Sequence, residues 1–175
     1  DPADPTSINS NTVFDVYEDS RGKFWVCTDR GLARFDKKNH AFKHFSREQG
    51  FDAKIVHNVL EDDSGNLWFG TNIGLVVFDP VQEKVPKVYT KEDGLHSHDF
   101  CPTARGRTRG GELWFGGFNG LNRFHPEALR ENKVRPPVFL TSIKQNGQEL
   151  RLGAAFEKVR KLDLDWRNNE FEFEY

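Results

Sequence analysis

EDDSGNLWFGTNIGLVVFD, Glu61–Asp79, is the stretch that decides the fold. It has two relatives in the same chain: EDSRGKFWVCTDRGLARFD at Glu18–Asp36 and TRGGELWFGGFNGLNRFH at Thr108–His125. Trp25, Trp68 and Trp114 stand 43 and 46 residues apart, and three further sets keep the same intervals. These are Gly31, Gly74 and Gly120; Leu32, Leu75 and Leu121; and Phe35, Phe78 and Phe124. A period in the forties with strand-like content marks stacked supersecondary units, which are most often blades of a β-propeller.

Working outward, the second repeat reads as four strands. They are Ile55–Asp62, Asn66–Thr71, Gly74–Asp79 and a short outer Lys87–Thr90, separated by the turn signals Asp63-Ser64-Gly65 and Asn72-Ile73-Gly74. The first repeat matches over Val13–Glu18, Lys23–Thr28, Gly31–Asp36 and Ala41–Ser46. In the third, Asn119-Gly120 is a hairpin signal in which both residues tolerate positive φ, and no outer strand is evident. A blade cannot bury both of its apolar faces alone, so the tryptophans are expected to fill the wedges between blades, at about 150–250 Å² each. Gly31, Gly74, Gly120, Phe35, Phe78 and Phe124 complete this expected repeat core.

After the third repeat the chain turns polar, with a helical tendency over Glu127–Asn132, and reaches Arg135-Pro136-Pro137, a stiff connector. Val138–Lys144, Asn146-Gly147, Gln148–Leu152 and Leu162–Asp165 then read as strand, turn, strand and strand. Residues 169–175 place Phe171, Phe173 and Tyr175 on one face and Glu170, Glu172 and Glu174 on the other, as in a half-buried antiparallel strand. The expected organisation is propeller blades over 1–126, a linker over 127–137 and an incomplete second domain over 138–175.

Composition narrows the functional classes. The 175 residues carry a formal net charge of -2, which gives no electrostatic reason to expect nucleic acid or an anionic membrane surface. No apolar run is long enough to span a bilayer. The chain has no methionine and opens inside a repeat, so it reads as a piece of a longer protein. Its two cysteines, Cys27 and Cys101, lie about two blades apart and read as buried free thiols.

The phrase D-x-x-G-x-[LF]-W-[FV]-G-T-x-x-G-L-x-x-F-D resembles the two-component regulator propeller repeat. ELWFGGFNGLNRFHP is similar to the last blade of that family. PPVFLTSIKQNGQEL followed by NNEFEFEY resembles the start of the Y_Y_Y domain, an immunoglobulin-like sandwich. Together these segments cover nearly the whole chain. Three departures stand out: Cys27 replaces the usual Gly, Thr108 stands where the other repeats have Asp19 and Asp62, and Gly117 replaces Thr28 and Thr71.

The resemblance implies an all-β chain of about three four-stranded propeller blades followed by the first strands of a sandwich. It also implies the sensor region of a hybrid two-component protein, periplasmic or extracellular and part of a larger membrane-anchored chain. Many relatives respond to oligosaccharides, and a kinase, cyclase or DNA-binding output lies inside the cell. Expected partners are therefore an oligosaccharide or other small ligand, the remaining blades and output domains, and a second copy in a homodimer. Nucleic acid and membrane contact by this segment are not expected.

His96-Ser97-His98, with His57, has two imidazoles on one strand face and no third ligand at sensible spacing, so no metal is assigned. Arg105, Arg107 and Arg109 alternate, and local acidic partners are expected for them. Glu18-Asp19, Glu61-Asp62 and Asp63 recur before each second strand, which points to turn capping. No catalytic motif is present, so neither an enzyme nor a cofactor is expected. The turns between second and third strands, and the stretches leading into each inner strand, converge on one mouth. They carry the candidate ligand residues Arg30, Lys54, Asn72, His96, His98 and Asn119. Two other readings stand beside this one: a propeller enzyme of streptogramin-lyase or lactonase type, and a protein-interaction scaffold.

Overall fold

The computed structural model describes residues 4–129, 141–150, 161 and 170–174. It is all-β, with only single turns of 3-10 helix, and divides into two compact units, Asp1–Arg130 and Glu131–Tyr175.

The first unit holds three antiparallel meanders. Blade one is β1 (Val13–Glu18), β2 (Phe24–Thr28), β3 (Gly31–Asp36) and β4 (Ala41–Phe45), paired in that order. Blade two is β5 (Val56–Glu61), β6 (Leu67–Thr71), β7 (Gly74–Asp79) and β8 (Lys84–Tyr89). Its outer strand is longer than the expected Lys87–Thr90, because Lys84 pairs with Asp79 beyond a bulge. Blade three has three strands among the described residues: β9 (Phe100–Arg107), β10 (Leu113–Gly117) and β11 (Gly120–Phe124). The inner strands β1, β5 and β9 are neighbours in that order. The expected helical stretch after blade three is a single 3-10 turn at Pro126–Ala128, and its remainder lies outside the described residues.

Period-two alternation sends successive side chains to opposite faces of each blade, and the faces meet in pairs. Trp25, Cys27 and Leu32 of blade one pack on Val59, Leu67, Phe69, Val76 and Phe78 of blade two. Leu60, Trp68, Leu75 and Val77 on the other side of blade two pack on Phe100, Leu113 and Phe115 of blade three. Trp25 is fully buried and Trp68 is 4% exposed. At ~25 cal/mol/Å², rings of this size contribute roughly 4–6 kcal/mol each before entropy is counted. Trp114 is only half-buried, because no further blade covers its face in the described residues. Phe35 and Phe124 are likewise half-buried, and Phe78 is fully buried.

The hairpins need glycine where the sequence repeats it. At Gly74, φ is +121°, and an added Cβ would stand 2.2 Å from the Tyr89 carbonyl oxygen, so no other residue fits. In the third-repeat hairpin only Gly120 takes a positive φ, so Asn119 does not share the left-handed geometry expected of it.

The second unit pairs β12 (Ser142–Gln145) with β13 (Gln148–Glu149) and with β14 (Phe171–Glu174). Asn146-Gly147 forms the tight turn, both residues at positive φ. Phe173 is 53% exposed, so the expected buried face of the last strand is open here. β12 and β13 fall on the expected strands at Val138–Lys144 and Gln148–Leu152, whose residues 138–140 and 151–152, like Leu162–Asp165, lie outside the described residues.

Candidate functional site

The recurrent acidic residues have structural work. Asp19 Oδ1 accepts from Arg21 N and Lys23 N, at 3.0 and 2.9 Å, and its Oδ2 accepts from the Trp25 indole at 2.8 Å. Asp62 repeats this with Ser64 N and Asn66 N at 2.9 Å each and the Trp68 indole at 2.8 Å. One carboxylate thus caps the turn and satisfies the donor of a buried indole. In blade three the duties are divided: Thr108 Oγ1 accepts from Glu112 N, and Glu112 takes the Trp114 indole at 2.8 Å. Thr28 and Thr71 clamp the second turn, each donating to a glycine carbonyl, from Gly31 and Gly74 respectively. At Gly117 an added Cβ would stand 2.5 Å from the Asp99 carbonyl, so the third repeat has no room for that threonine. Cys27 is fully buried, and burial pushes its thiol well above its ordinary value. Cys101 is only half-buried, unlike the expectation, and both thiols are free.

The arginine series finds acidic partners at two of its three positions, but on other blades rather than locally as expected. Arg105 pairs with Asp15 of blade one, and Arg107 with Asp63 of blade two. Arg109 is exposed in the blade-three turn. Glu61, 5% exposed, accepts from Ser20 N at 2.8 Å and Ser20 Oγ at 2.5 Å. Burial, together with the nearby Glu61 charge, raises the Tyr17 phenol above its ordinary value.

At the opposite end of each blade, the loop leading into the inner strand bonds to the hairpin between the second and third strands. Asn9 Nδ2 donates to the Arg30 carbonyl at 2.9 Å. Ile55 N donates to Asn72 Oδ1 at 3.0 Å, and Asn72 N returns a bond to the Ile55 carbonyl. His96 N donates to Asn122 Oδ1 at 3.1 Å, and the His96 ring lies beside Gly120. Ala53 O lies against Gly31, which sets Lys54 beside the hairpin of blade one.

Five of the six candidates therefore fall into two groups at one end of the three blades. Arg30, Lys54 and Asn72 lie over blades one and two, and His96 and Asn119 over blade three. Arg30, Lys54, His96 and Asn119 are exposed, and Asn72 is half-buried. Arg30 also lines a cavity of about 580 Å³ with Ser7, Asn9, Asn11, Asp29 and His44. His98 is more structural than the sequence suggested: its Nε2 accepts from Lys91 N at 3.1 Å. Next to it, a bond from the Thr90 hydroxyl holds Glu92 below the usual carboxylate range.

His57, at the equivalent approach in the second repeat, has a partner of its own. It lies within β5, 9% exposed, with Nε2 3.0 Å from Asp99 Oδ1 and its ring 5.4 Å from that of Phe14. No group of three metal-ligating side chains occurs among the described residues.

Residues 7–30 and 50–72 match the family model described as two component regulator propeller. This chain carries two-component regulator propeller repeats. The matched residues cover the lead-in loop, the inner strand, the second strand and the following hairpin in blades one and two, the parts that build the mouth.

The propeller chain is 28% identical over 97 residues to Histidine kinase P4 of Formosa agariphila, covering 50% of this chain and 7% of the kinase. Among solved structures it resembles one described as the extracellular domain of a hybrid two component system, BT3049, from B. thetaiotaomicron. That likeness has a TM-score of 0.68 and 25% identity, over 82% of this chain and 21% of the other. A second, the extracellular domain BT4673 from the same organism, has a TM-score of 0.63 at 21% identity and shows the same fold, over 73% of this chain and 19% of that one. The propeller chain thus spans about a fifth of the length of the solved relatives and a smaller share of the kinase. No helix among the described residues is long and apolar enough to cross a membrane.

Proposed function

We propose that this chain is part of the extracytoplasmic sensor region of a two-component-type signalling protein, and that it binds a small ligand without catalysis. The ligand sits at the mouth built by the lead-in loops and second hairpins, and its binding biases a two-state output inside the cell. The observation that carries this reading is the likeness over 82% of the chain to an extracellular domain of a hybrid two component system. The repeat geometry supports it, since exposed polar side chains stand on short loops above rigid sheets.

The ligand class that fits is an oligosaccharide. Arg30 and Lys54 offer cationic donors, Asn72 and Asn119 offer amides, and His96 offers an imidazole, a set suited to hydroxyl and carboxylate groups. The acidic residues near each first turn are committed to caps, indoles and neighbouring blades, which supports a non-catalytic role.

The test is thermal denaturation of the chain against a panel of neutral and acidic oligosaccharides. A binding sugar at about 100 times its Kd stabilises the fold by roughly 2.7 kcal/mol and raises the midpoint. The double variant Arg30→Ala/His96→Ala is expected to lose that rise while keeping the unliganded midpoint. A flat response across the panel overturns the oligosaccharide reading.

A further inference from the structure

The residue directly before each inner strand differs among the blades: Thr12 before β1, Ile55 before β5 and Asp99 before β9. Asp99 is held at three of its polar atoms. Its backbone N donates to Ser97 Oγ at 3.1 Å, and Ser97 is itself 6% exposed. Its carbonyl oxygen would stand 2.5 Å from a Cβ at position 117, so the glycine that replaces Thr28 and Thr71 in the third repeat makes room for this segment. Its Oδ1 pairs with His57 Nε2 of blade two. The adjacent Asn58 Nδ2 donates to the Cys101 carbonyl at 2.7 Å, which holds the same segment on β5.

The fourth polar atom is left open. Asp99 Oδ2 has no partner among the described residues, and the side chain is 52% exposed. A carboxylate only accepts, so His57 Nε2 carries the imidazole proton, and Nδ1 is a buried acceptor with no partner among the described residues. Burying an unsatisfied nitrogen in order to hold an exposed carboxylate is unfavourable for stability alone. The seam is internal, with blades two and three on either side and Phe14 of blade one against the His57 ring. By contrast Asp52, in the lead-in loop of blade two, has both oxygens taken by Arg47.

We propose that Asp99 is a sugar-binding residue whose free oxygen accepts hydroxyl hydrogens from a neutral unit of the ligand, and that His57 is its positioning residue. This rests on the reading of the mouth as an oligosaccharide site. A fixed carboxylate accepts O–H donors through short charge-assisted bonds, and it repels a uronate or sulfate at the same point. The exposed cations Arg30 and Lys54 at that end of the blades disfavour an ammonium ligand. Because His57 holds Oδ1 beforehand, the side chain loses little freedom when the sugar arrives.

Calorimetric titration of the chain with malto-, cello-, xylo- and mannotetraose and with tetragalacturonate tests this, with the sugar-free thermal midpoint recorded for every variant. At least one neutral tetrasaccharide is expected to bind. Asp99→Asn should weaken it about tenfold, the loss of one charge-assisted bond. His57→Leu should weaken it about threefold, because the carboxylate is then free to turn. His57→Gln, whose Nε2 can still donate to Oδ1, should recover most of that loss. If no sugar binds, the oligosaccharide reading of the mouth falls and this inference falls with it. Binding of a neutral sugar that ignores Asp99→Asn, or binding of tetragalacturonate alone, overturns this inference and leaves that reading standing. A His57→Leu chain with a lowered midpoint and unchanged sugar affinity overturns the positioning role, as does a His57→Gln chain that binds no better than His57→Leu.

Discussion

Arg105 of the third inner strand pairs with Asp15 of the first across 90 residues of chain: Nη2 donates to Oδ1 at 2.8 Å, and Nε stands 2.8 Å from Oδ2. Asp15 Oδ2 also accepts from Val59 N at 3.1 Å, so one carboxylate ties β1, β5 and β9 together. The pair is largely withdrawn from water, with side-chain exposures of 27% for Arg105 and 11% for Asp15. It links blades that share no tryptophan wedge.

Removing the arginine leaves that carboxylate with the Val59 amide alone. Arg105→Ala is expected to destabilise the first unit by about 2–4 kcal/mol, a little below the roughly 3–5 kcal/mol for a fully buried pair because Arg105 is part-exposed. The thermal midpoint should fall by roughly 5–10 °C. Arg105→Lys should recover only part of this, since a single ammonium cannot set two nitrogens against both carboxylate oxygens. Urea titrations of the three proteins check the order.

The Asp–indole bond makes a second prediction. Asp62→Ala removes acceptors for two backbone amides and orphans the Trp68 indole, at about 2–4 kcal/mol. Asp62→Asn keeps one acceptor and should fall between. Glu112→Ala should cost less, because the Trp114 indole it serves is half-exposed and can turn to water. Urea unfolding followed by tryptophan fluorescence measures all three.

Glu83 carries a pH dependence. Burial pushes its carboxyl up, but bonds from Lys43 and Arg34 of blade one outweigh this and hold it below its ordinary value of 4.5. The folded state therefore binds fewer protons at this group than the unfolded chain. Its contribution is complete above about pH 4.5 and is lost as pH falls through the depressed value. Wild type should exceed Glu83→Gln in stability at pH 7 by on the order of 1 kcal/mol, and the gap should shrink at an acidic pH below 4.5. Urea midpoints at the two pH values give the comparison.

Legibility followed the range of the interaction. The hairpins of blades one and two could be read because Gly74 and its equivalents answer to backbone sterics within a few residues. The strands around Trp25 and Trp68 could be read because alternation is a local property. Cap duty for Asp19 and Asp62 was also visible, since Asp bonds its own following amides. That the same carboxylates reach the indoles six residues on was not visible, because it depends on which way a buried ring turns. That the Lys91 amide donates to the His98 ring was not visible either, because it depends on how the loop folds back.

By itself the sequence determined the repeat, its period, its turns and which faces of each strand are apolar, since these depend on residue type and on neighbours a few positions away. Only the tertiary structure decided that Arg105 reaches Asp15, that Glu61 holds Ser20, that His57 meets Asp99, and that Trp114 lies half-open while its two counterparts are sealed. Those outcomes join residues about 40 to 90 positions apart, and which groups come within hydrogen-bond reach is set by how the sheets pack.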